Sequence, residues 1–452
     1  MDNSNKQKSI LDFLSFKSPT LEQKNALIAM SDFVSTSNSE DFLILSGAAG
    51  TGKTSITTSL IKYLNHQNVQ FKIAAPTGRA ARILGKKSGA TSTTIHSLIY
   101  NSVSDPNTGE VTFKLKPNTV KDYSVYILDE ASMISSIITN AEESLFVSTN
   151  SLLNDLVKFV KDGNLRNKLI LLGDRNQLPP IQEEYSKALS KSYLEEKYQL
   201  SGESYRLTEV KRQQKDSYIL KNAVTVREAI DNNMPPEELV DIEEQKMNTA
   251  ALNYIQEYNE NGLEGSISIA ATHKMNQLFN RIVREYMYGK YADALVENDL
   301  LLIISSWRRK AKELYSGDHV IVKKIDLDET EIIAGLRFVP VKLMFKNLLD
   351  KEEFLDDYLL LECLEQSKGL NAEQEKRLRF ERFRANKIYQ KSGNPADDKY
   401  VGAIRATYGH SITCHKAQGG EWKKVYLNSY YMPSLRYQYT AITRAKEELI
   451  LY

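Results

Sequence analysis

The sequence predicts an α/β fold with two parallel-sheet domains, and three observations carry that reading. Leu43-Ile44-Leu45 reads as a short buried strand that runs into Gly47-Ala48-Ala49-Gly50-Thr51-Gly52-Lys53-Thr54. Ile56, Leu60, Ile61 and Leu64 then follow at helical spacing, so the glycine-rich turn sits between strand and helix, where a P-loop must sit. Further short apolar runs end in polar tips, namely Phe71 to Ala75 before Pro76-Thr77-Gly78, Val125 to Leu128 before Asp129-Glu130, and Leu169 to Leu172 before Gly173-Asp174. A second series, Ile267 to Ala271, Val425 to Leu427 and Leu449 to Leu451, repeats the pattern in the second half of the chain.

The P-loop sets the chemistry. Its three glycines let backbone N–H groups and the positive end of the next helix meet phosphate oxygens. Lys53 would reach the β- and γ-phosphates, and the Thr54 hydroxyl would ligate Mg²⁺. Asp129, at a strand tip opposite the P-loop, suits the same ion, and Glu130 beside it suits the general base that deprotonates water. Gln177 lies just beyond the next strand tip, where an amide senses the γ-phosphate.

Composition narrows the remaining options. With 452 residues, 41% hydrophobic and 26% charged, the chain can bury cores in about three domains. Its 59 basic and 58 acidic residues nearly cancel, so a nucleic-acid partner would be held by local patches rather than a global field. Cys363 and Cys414 cannot build a disulfide framework and suit a reducing compartment. Residues 1–18 lack the apolar core of a signal peptide, and no run of 18 apolar residues occurs, so the expectation is a cytoplasmic protein without membrane contact. No heptad run is present, which fits a monomer.

Along the chain, Leu11, Phe13, Leu14 and Phe16 form a short apolar lead-in before Pro19. Thr20 and Gln23 have capping-box spacing ahead of a helix carrying Leu21, Leu27, Ile28 and Met30. Gln23 therefore has two readings, a structural cap or an amide reading an adenine edge. Thr77 reads as a cap or as a contact at a strand tip, and His96 alone carries little weight. Between Ser97 and Lys116 the texture changes: Val111, Phe113 and Leu115 alternate with polar residues, and Asp105-Pro106-Asn107-Thr108-Gly109 is strong turn chemistry, so a β-hairpin is expected.

In this order the motifs resemble the superfamily 1 helicases, specifically the B-type group of Dda-like and RecD-like proteins. The first half supplies Gly-Ala-Ala-Gly-Thr-Gly-Lys-Thr, Ala-Pro-Thr-Gly-Arg-Ala-Ala, Thr-Thr-Ile-His-Ser, Leu-Asp-Glu-Ala-Ser-Met and Gly-Asp-Arg-Asn-Gln-Leu-Pro-Pro. The second half adds Leu207 to Gln213, Thr413 to Glu421 and Tyr439 to Ala445. The resemblance spans Leu21 to Tyr452. It implies two RecA-like motor domains, 1–206 and 207–452, with ATP as substrate and Mg²⁺ as cofactor. It also implies that Arg212 and Arg444 reach the γ-phosphate from the second domain, that Gln23 contacts adenine, and that Glu421 lies in a motif coupling DNA to ribose. Pro76, Thr77, Thr94, His96, Thr413 and His415 become contacts to single-stranded DNA, made by hydroxyls and backbone N–H groups that hold phosphates without reading sequence.

The resemblance further implies a hairpin insertion over 97–122 acting as a pin, with Phe113 on it, and a second insertion over about 305–403. There Gly317 to Val322 resembles the opening strand of an SH3-like barrel, and residues from about 345 to 392 read as charged and helical. Glu375 to Lys391 holds seven Lys or Arg against two Glu, with Phe380 and Phe383 interleaved. Such a run is ordinarily a solvated helix face; the competing reading is a DNA-facing arm. Cys414 beside His415 packs as a small buried residue rather than a nucleophile. The expected activity is 5′ to 3′ unwinding of forked or tailed duplex DNA, with a single-strand-binding protein as the natural neighbour on the track. An RNA helicase would have the same core, since only a 2′-hydroxyl contact separates the substrates. A non-unwinding P-loop switch is the other alternative.

Overall fold

The computed structural model describes residues 8–104, 111–138, 146–147, 150–210, 217–235, 238–309, 312–347, 351–366 and 369–452. Six parallel strands form the first sheet, in the order Ser92–Thr94, Gln70–Ala75, Ser124–Leu128, Lys168–Gly173, Phe42–Gly47 and Gly202–Leu207. Because every pairing is parallel, the tips bearing Lys53, Thr77, Thr94, Asp129 and Gln177 all leave by one edge, the ordinary place for a ligand in such sheets.

Strand alternation splits the core in two. Ile44, Tyr126, Leu128, Leu169 and Leu171 face the helix Leu152–Gly163. Leu43, Leu45, Ile127, Ile170 and Leu172 face the helices Leu21–Phe33 and Lys53–His66. Each fully buried Leu or Ile contributes roughly 1.5–3 kcal/mol. Leu21 and Ile28, apolar residues of the first of these helices, are 74% and 44% exposed. The helix turns its Gln23, Ala26, Leu27, Met30 face inward instead.

The second parallel sheet runs Glu243–Glu244, Ala445–Leu451, Trp422–Leu427, Ser266–Ala270, Ser411–Thr413. Ile267, Ile269, Val425 and Leu427 pack on one face, and Tyr426 and Ile450 on the other against Tyr254 and Phe279. The two-sheet α/β expectation therefore holds.

Two insertions depart in detail from the expectation. The hairpin pairs Tyr100–Ser104 with Val111–Leu115, from Tyr100↔Leu115 to Ser104↔Val111. Ser97 to Ile99 belongs to a preceding helical turn, Ile95–Ile99, which Thr94 caps. A third strand, Phe146–Val147, pairs alongside Val111 and Thr112. The turn 105–110 and the Phe113 side chain lie outside the described residues.

The later insertion is an antiparallel sheet of Glu331–Ile333, Leu336–Lys346, His319–Ile325, Leu300–Ile303 and Ala406–Tyr408, with Glu352–Leu360 added beside Leu336–Lys346. This corrects the expectation that the chain turns helical from about 345. Local charge makes Glu352 to Leu360 read as helix, but nine consecutive cross-strand pairs bury Leu355 and Leu359, and that tertiary pairing overrides local preference. Helices begin only at Glu362, and the basic one is Ala372–Ala385. Part of its charge turns inward: Arg379 pairs with Glu375 at 3.5 Å, and Arg382 with Asp398 at 2.9 Å.

Candidate active site

The P-loop turns through left-handed backbone at Gly50 (φ 83°) and Gly52 (φ 90°). A Cβ at Gly52 would sit 2.6 Å from Gln23 Nε2, so both conformation and space demand glycine there. Gln23 explains that crowding. Its Oε1 accepts from Thr20 N at 3.0 Å and Thr20 Oγ1 accepts from Gln23 N at 3.1 Å, completing the expected capping box. Its Nε2 also donates to Thr51 O at 2.9 Å, tying the first helix to the P-loop. Lys53 Nζ folds back on the loop, donating to Gly47 O at 2.5 Å and Ala48 O at 3.1 Å, so its charge is already held at the loop's centre.

Asp129 and Glu130 stand beside Lys53, half-buried at the tip of Ser124–Leu128. Burial raises both carboxyls. Glu130 is pushed up to about 7 by burial first and then by the Asp129 carboxylate, against the pull of Arg444 and Lys53. Glu130 also has φ +50°, a left-handed conformation that costs a non-glycine residue about 1–2 kcal/mol. Such strain at a strand tip marks positions where side-chain placement matters. Gln177 is 4% exposed, and its Oε1 is a buried acceptor with no hydrogen-bond partner among the described residues.

The second sheet supplies the other wall. Tyr439 donates to Asp174 Oδ2 at 2.7 Å and accepts from the Ala49 N–H of the P-loop. Thr440 Oγ1 accepts from Leu178 N at 2.8 Å, and Gln418 Nε2 donates to Leu178 O at 2.9 Å. Leu178, just after Gln177, is thus stitched to both Thr413–Glu421 and Tyr439–Ala445. Arg444 is 3% exposed, with its guanidinium on Thr440 O at 2.9 Å, Thr443 Oγ1 at 3.1 Å and Gly420 O at 3.2 Å. Its charge nevertheless acts on Glu130, and its neighbours Thr443 and Ala445 line one cavity with Ala48, Ala49 and Gly50 of the P-loop. Arg212 lies outside the described residues.

Two family matches fall on these two sheets. The family described as AAA domain matches residues 22–247, half of the chain, and the family described as UvrD-like helicase C-terminal domain matches 408–452. The chain belongs to the superfamily 1B helicases, of the Dda and RecD kind. The chain is 29% identical over 139 residues to the ATP-dependent RecD2 DNA helicase of Deinococcus radiodurans, covering 31% of the chain but only 16% of that relative. To the ATP-dependent DNA helicase Dda of Enterobacteria phage T4 it is 24% identical, covering 96% of the chain and 99% of Dda. The Pif1 helicase crystal structure from Candida albicans shares its fold at TM-score 0.50 and 16% identity, over 96% of this chain and 95% of that one. The two parallel sheets are accordingly RecA-like domains.

The remaining sites of the chain fall in two groups. Thr77 caps its helix, one of its two expected readings, and Thr94 is a cap as well: Thr77 Oγ1 accepts from Ala80 N at 3.2 Å and Thr94 Oγ1 from Ser97 N at 3.1 Å. They share an edge, since Ala75 pairs with Thr94, and His96 follows with its ring 5.8 Å from Tyr100. Pro76 precedes Thr77 at the same tip. Thr413 ends a strand of the second sheet and lines a cleft with His273, Asn276 and Lys416. Burial lowers His415, and Lys416 falls to about 8 for the same reason. Glu421 is half-buried between Gly420 and Trp422. Cys414 is buried, 3.8 Å from Tyr437 O, and burial lifts its thiol to about 12, which fits packing and not nucleophilic chemistry.

Sequence reasoning missed the contacts that join the two halves. Arg79 lies over the Trp422 ring at 4.5 Å, Arg82 pairs with the buried Asp318 at 2.5 Å, and a Cβ on Gly78 would meet Tyr315 at 2.0 Å. Tyr439 and Asp174 both stood inside quoted motifs, yet nothing in the sequence says that they touch. Among the described residues no helix is long and apolar enough to cross a membrane.

Proposed function

We propose that the protein is an ATP-dependent DNA helicase that moves 5′ to 3′ on single strands and opens duplex with the hairpin as its pin. The observation that carries this reading is a single cleft with Lys53, Asp129, Glu130 and Gln177 on one sheet and Tyr439 and Arg444 on the other. The motor domains are 1–206, with the 97–122 insertion, and 207–452, with the insertion at about 305–403.

The donors beside the P-loop are the Thr54 hydroxyl and Asp129, an all-oxygen set that fits a hard divalent cation such as Mg²⁺. Bound there, the ion would offset phosphate charge. Lys53 exchanges its two loop carbonyls for phosphate oxygens, and Gln23 keeps the loop anchored while contacting adenine. Glu130, with a proton affinity near neutrality, aligns a water and takes its proton. The unpaired Gln177 Oε1 is an acceptor for that same water. Arg444 and Arg212 bring fixed charge to the terminal phosphate when the sheets close, so hydrolysis is completed only in the closed state.

Movement then follows from alternate grip. Pro76, Thr77, Thr94 and His96 hold the strand on one domain, Thr413 and His415 on the other, and closure shifts one set relative to the other. Forked DNA is the substrate, a single-strand-binding protein the neighbour on its product, and the monomer the working unit. The test is a pair of tailed duplexes: one with a 5′ tail is opened, one with a 3′ tail is not. Equal opening of both would overturn the polarity. ATPase activity that responds to poly-U as to poly-dT would move the substrate to RNA, and failure to respond to either would leave a switch.

A further inference from the structure

The helix Tyr218–Asp231 lies across the P-loop and presents one face to it, on which Leu220, Ala223, Val224, Arg227 and Asp231 recur at helical spacing. Asp231, at the far end of this face, is fully engaged. It receives Arg206, accepts from Asn176 Nδ2 at 2.9 Å, and lies 3.8 Å from Arg175, all on the first domain.

Arg227 stands one turn earlier on the same face and differs in kind. It lines the cavity whose opposite wall is Ala48, Ala49 and Gly50. It is half-buried and forms no hydrogen bond or ion pair with any described residue. Its charge acts on the Tyr439 hydroxyl, the same group that accepts the Ala49 N–H. One small volume thus collects a guanidinium and a P-loop amide, donors from both domains, with a phenol oxygen between them. An arginine is always charged, and its five donors match an oxyanion better than any neutral group.

We propose that Arg227 is a further nucleotide-binding residue, a cation from the second domain that grips a terminal phosphate oxygen and so lets the site tell a nucleoside triphosphate from a diphosphate. This rests on the nucleotide reading of the P-loop. The geometry favours the terminal phosphate because Arg227 belongs to the second domain and lines the cavity with the loop residues Ala48 to Gly50, whose amides already serve the inner phosphates.

The test compares equilibrium binding of ADP and of a non-hydrolysable ATP analogue to the full chain. Arg227→Gln is expected to weaken the ATP analogue about tenfold or more and ADP by less than about twofold. Arg227→Lys, which keeps the charge and loses the fork, falls between. Equal weakening of both nucleotides, or no change in either, overturns the proposal, and a folded Arg227→Lys decides the matter if the glutamine variant does not fold. Lys53→Ala separates the two levels. If it binds both nucleotides as the native protein does, the P-loop reading itself fails; if it loses both while Arg227→Gln keeps the native ratio, only the role of Arg227 fails.

Discussion

Replacing Glu130 by glutamine is expected to move catalysis and stability in opposite directions. The Glu130 carboxyl lies at about 7 instead of 4.5 because it is removed from water beside the Asp129 carboxylate. For a fully buried group that displacement corresponds to about 3 kcal/mol held against the ionised form. In a half-buried position on an open cleft, solvent screening reduces it to about 1–2 kcal/mol. The sign follows from linkage: the folded state binds the proton more tightly than the unfolded chain, so the penalty is full above about 7 and lifts as pH falls toward 4.5. Glutamine keeps the shape and the strained backbone but carries no charge. The variant should therefore unfold about 1–3 °C higher at pH 8, while kcat for ATP hydrolysis falls about 10²- to 10⁴-fold, the contribution of a general base. Thermal unfolding, nucleotide titration and DNA-stimulated ATPase measured on one preparation give all three values. Hydrolysis at the native rate would end the assignment of Glu130 as base. A fall in stability would show that the charge is not strained.

Three other outcomes are expected. Removing residues 104–110 should leave DNA-stimulated ATPase intact and abolish strand separation; unwinding at the native rate would remove the hairpin from the mechanism. Gly78→Ala should lose about 1–3 kcal/mol by overpacking against Tyr315. Gly78→Ala combined with Tyr315→Gly, which removes the Cβ that the new methyl would meet, should recover most of that loss, and simple additivity of the two would deny the contact. His410 is fully buried, with Tyr254 Oη 3.1 Å from its Nδ1, and burial holds the imidazole down to about 3 from 6.5. The unfolded chain takes up that proton first, so stability falls as pH drops below 6.5, by about 2 kcal/mol between pH 7 and 5 from this residue. Denaturant titrations at both pH values should show His410→Gln losing less, and an unchanged slope would contradict the burial argument.

Short-range chemistry is what the sequence could determine by itself. The strand, glycine turn and helix around Lys53 are local, as are the capping box of Thr20 and Gln23 and the alternation of Val111 to Leu115, because each is fixed by neighbours within a few residues. The order of motifs added the pairing of two α/β halves. What only the tertiary structure decided involves partners far apart in the chain. Glu352 to Leu360 became a strand because Leu336–Lys346 offered an edge along its whole length. Gln23 serves as cap and P-loop anchor at once because Thr51 comes within reach. Tyr439 meets Ala49, and Arg227 faces the phosphate turn, only after the second domain folds across the first. The physical reason is common to all of these. Spacing along a chain records which residues share a face, whereas contacts across a cleft depend on the orientation of whole sheets, which no short stretch encodes.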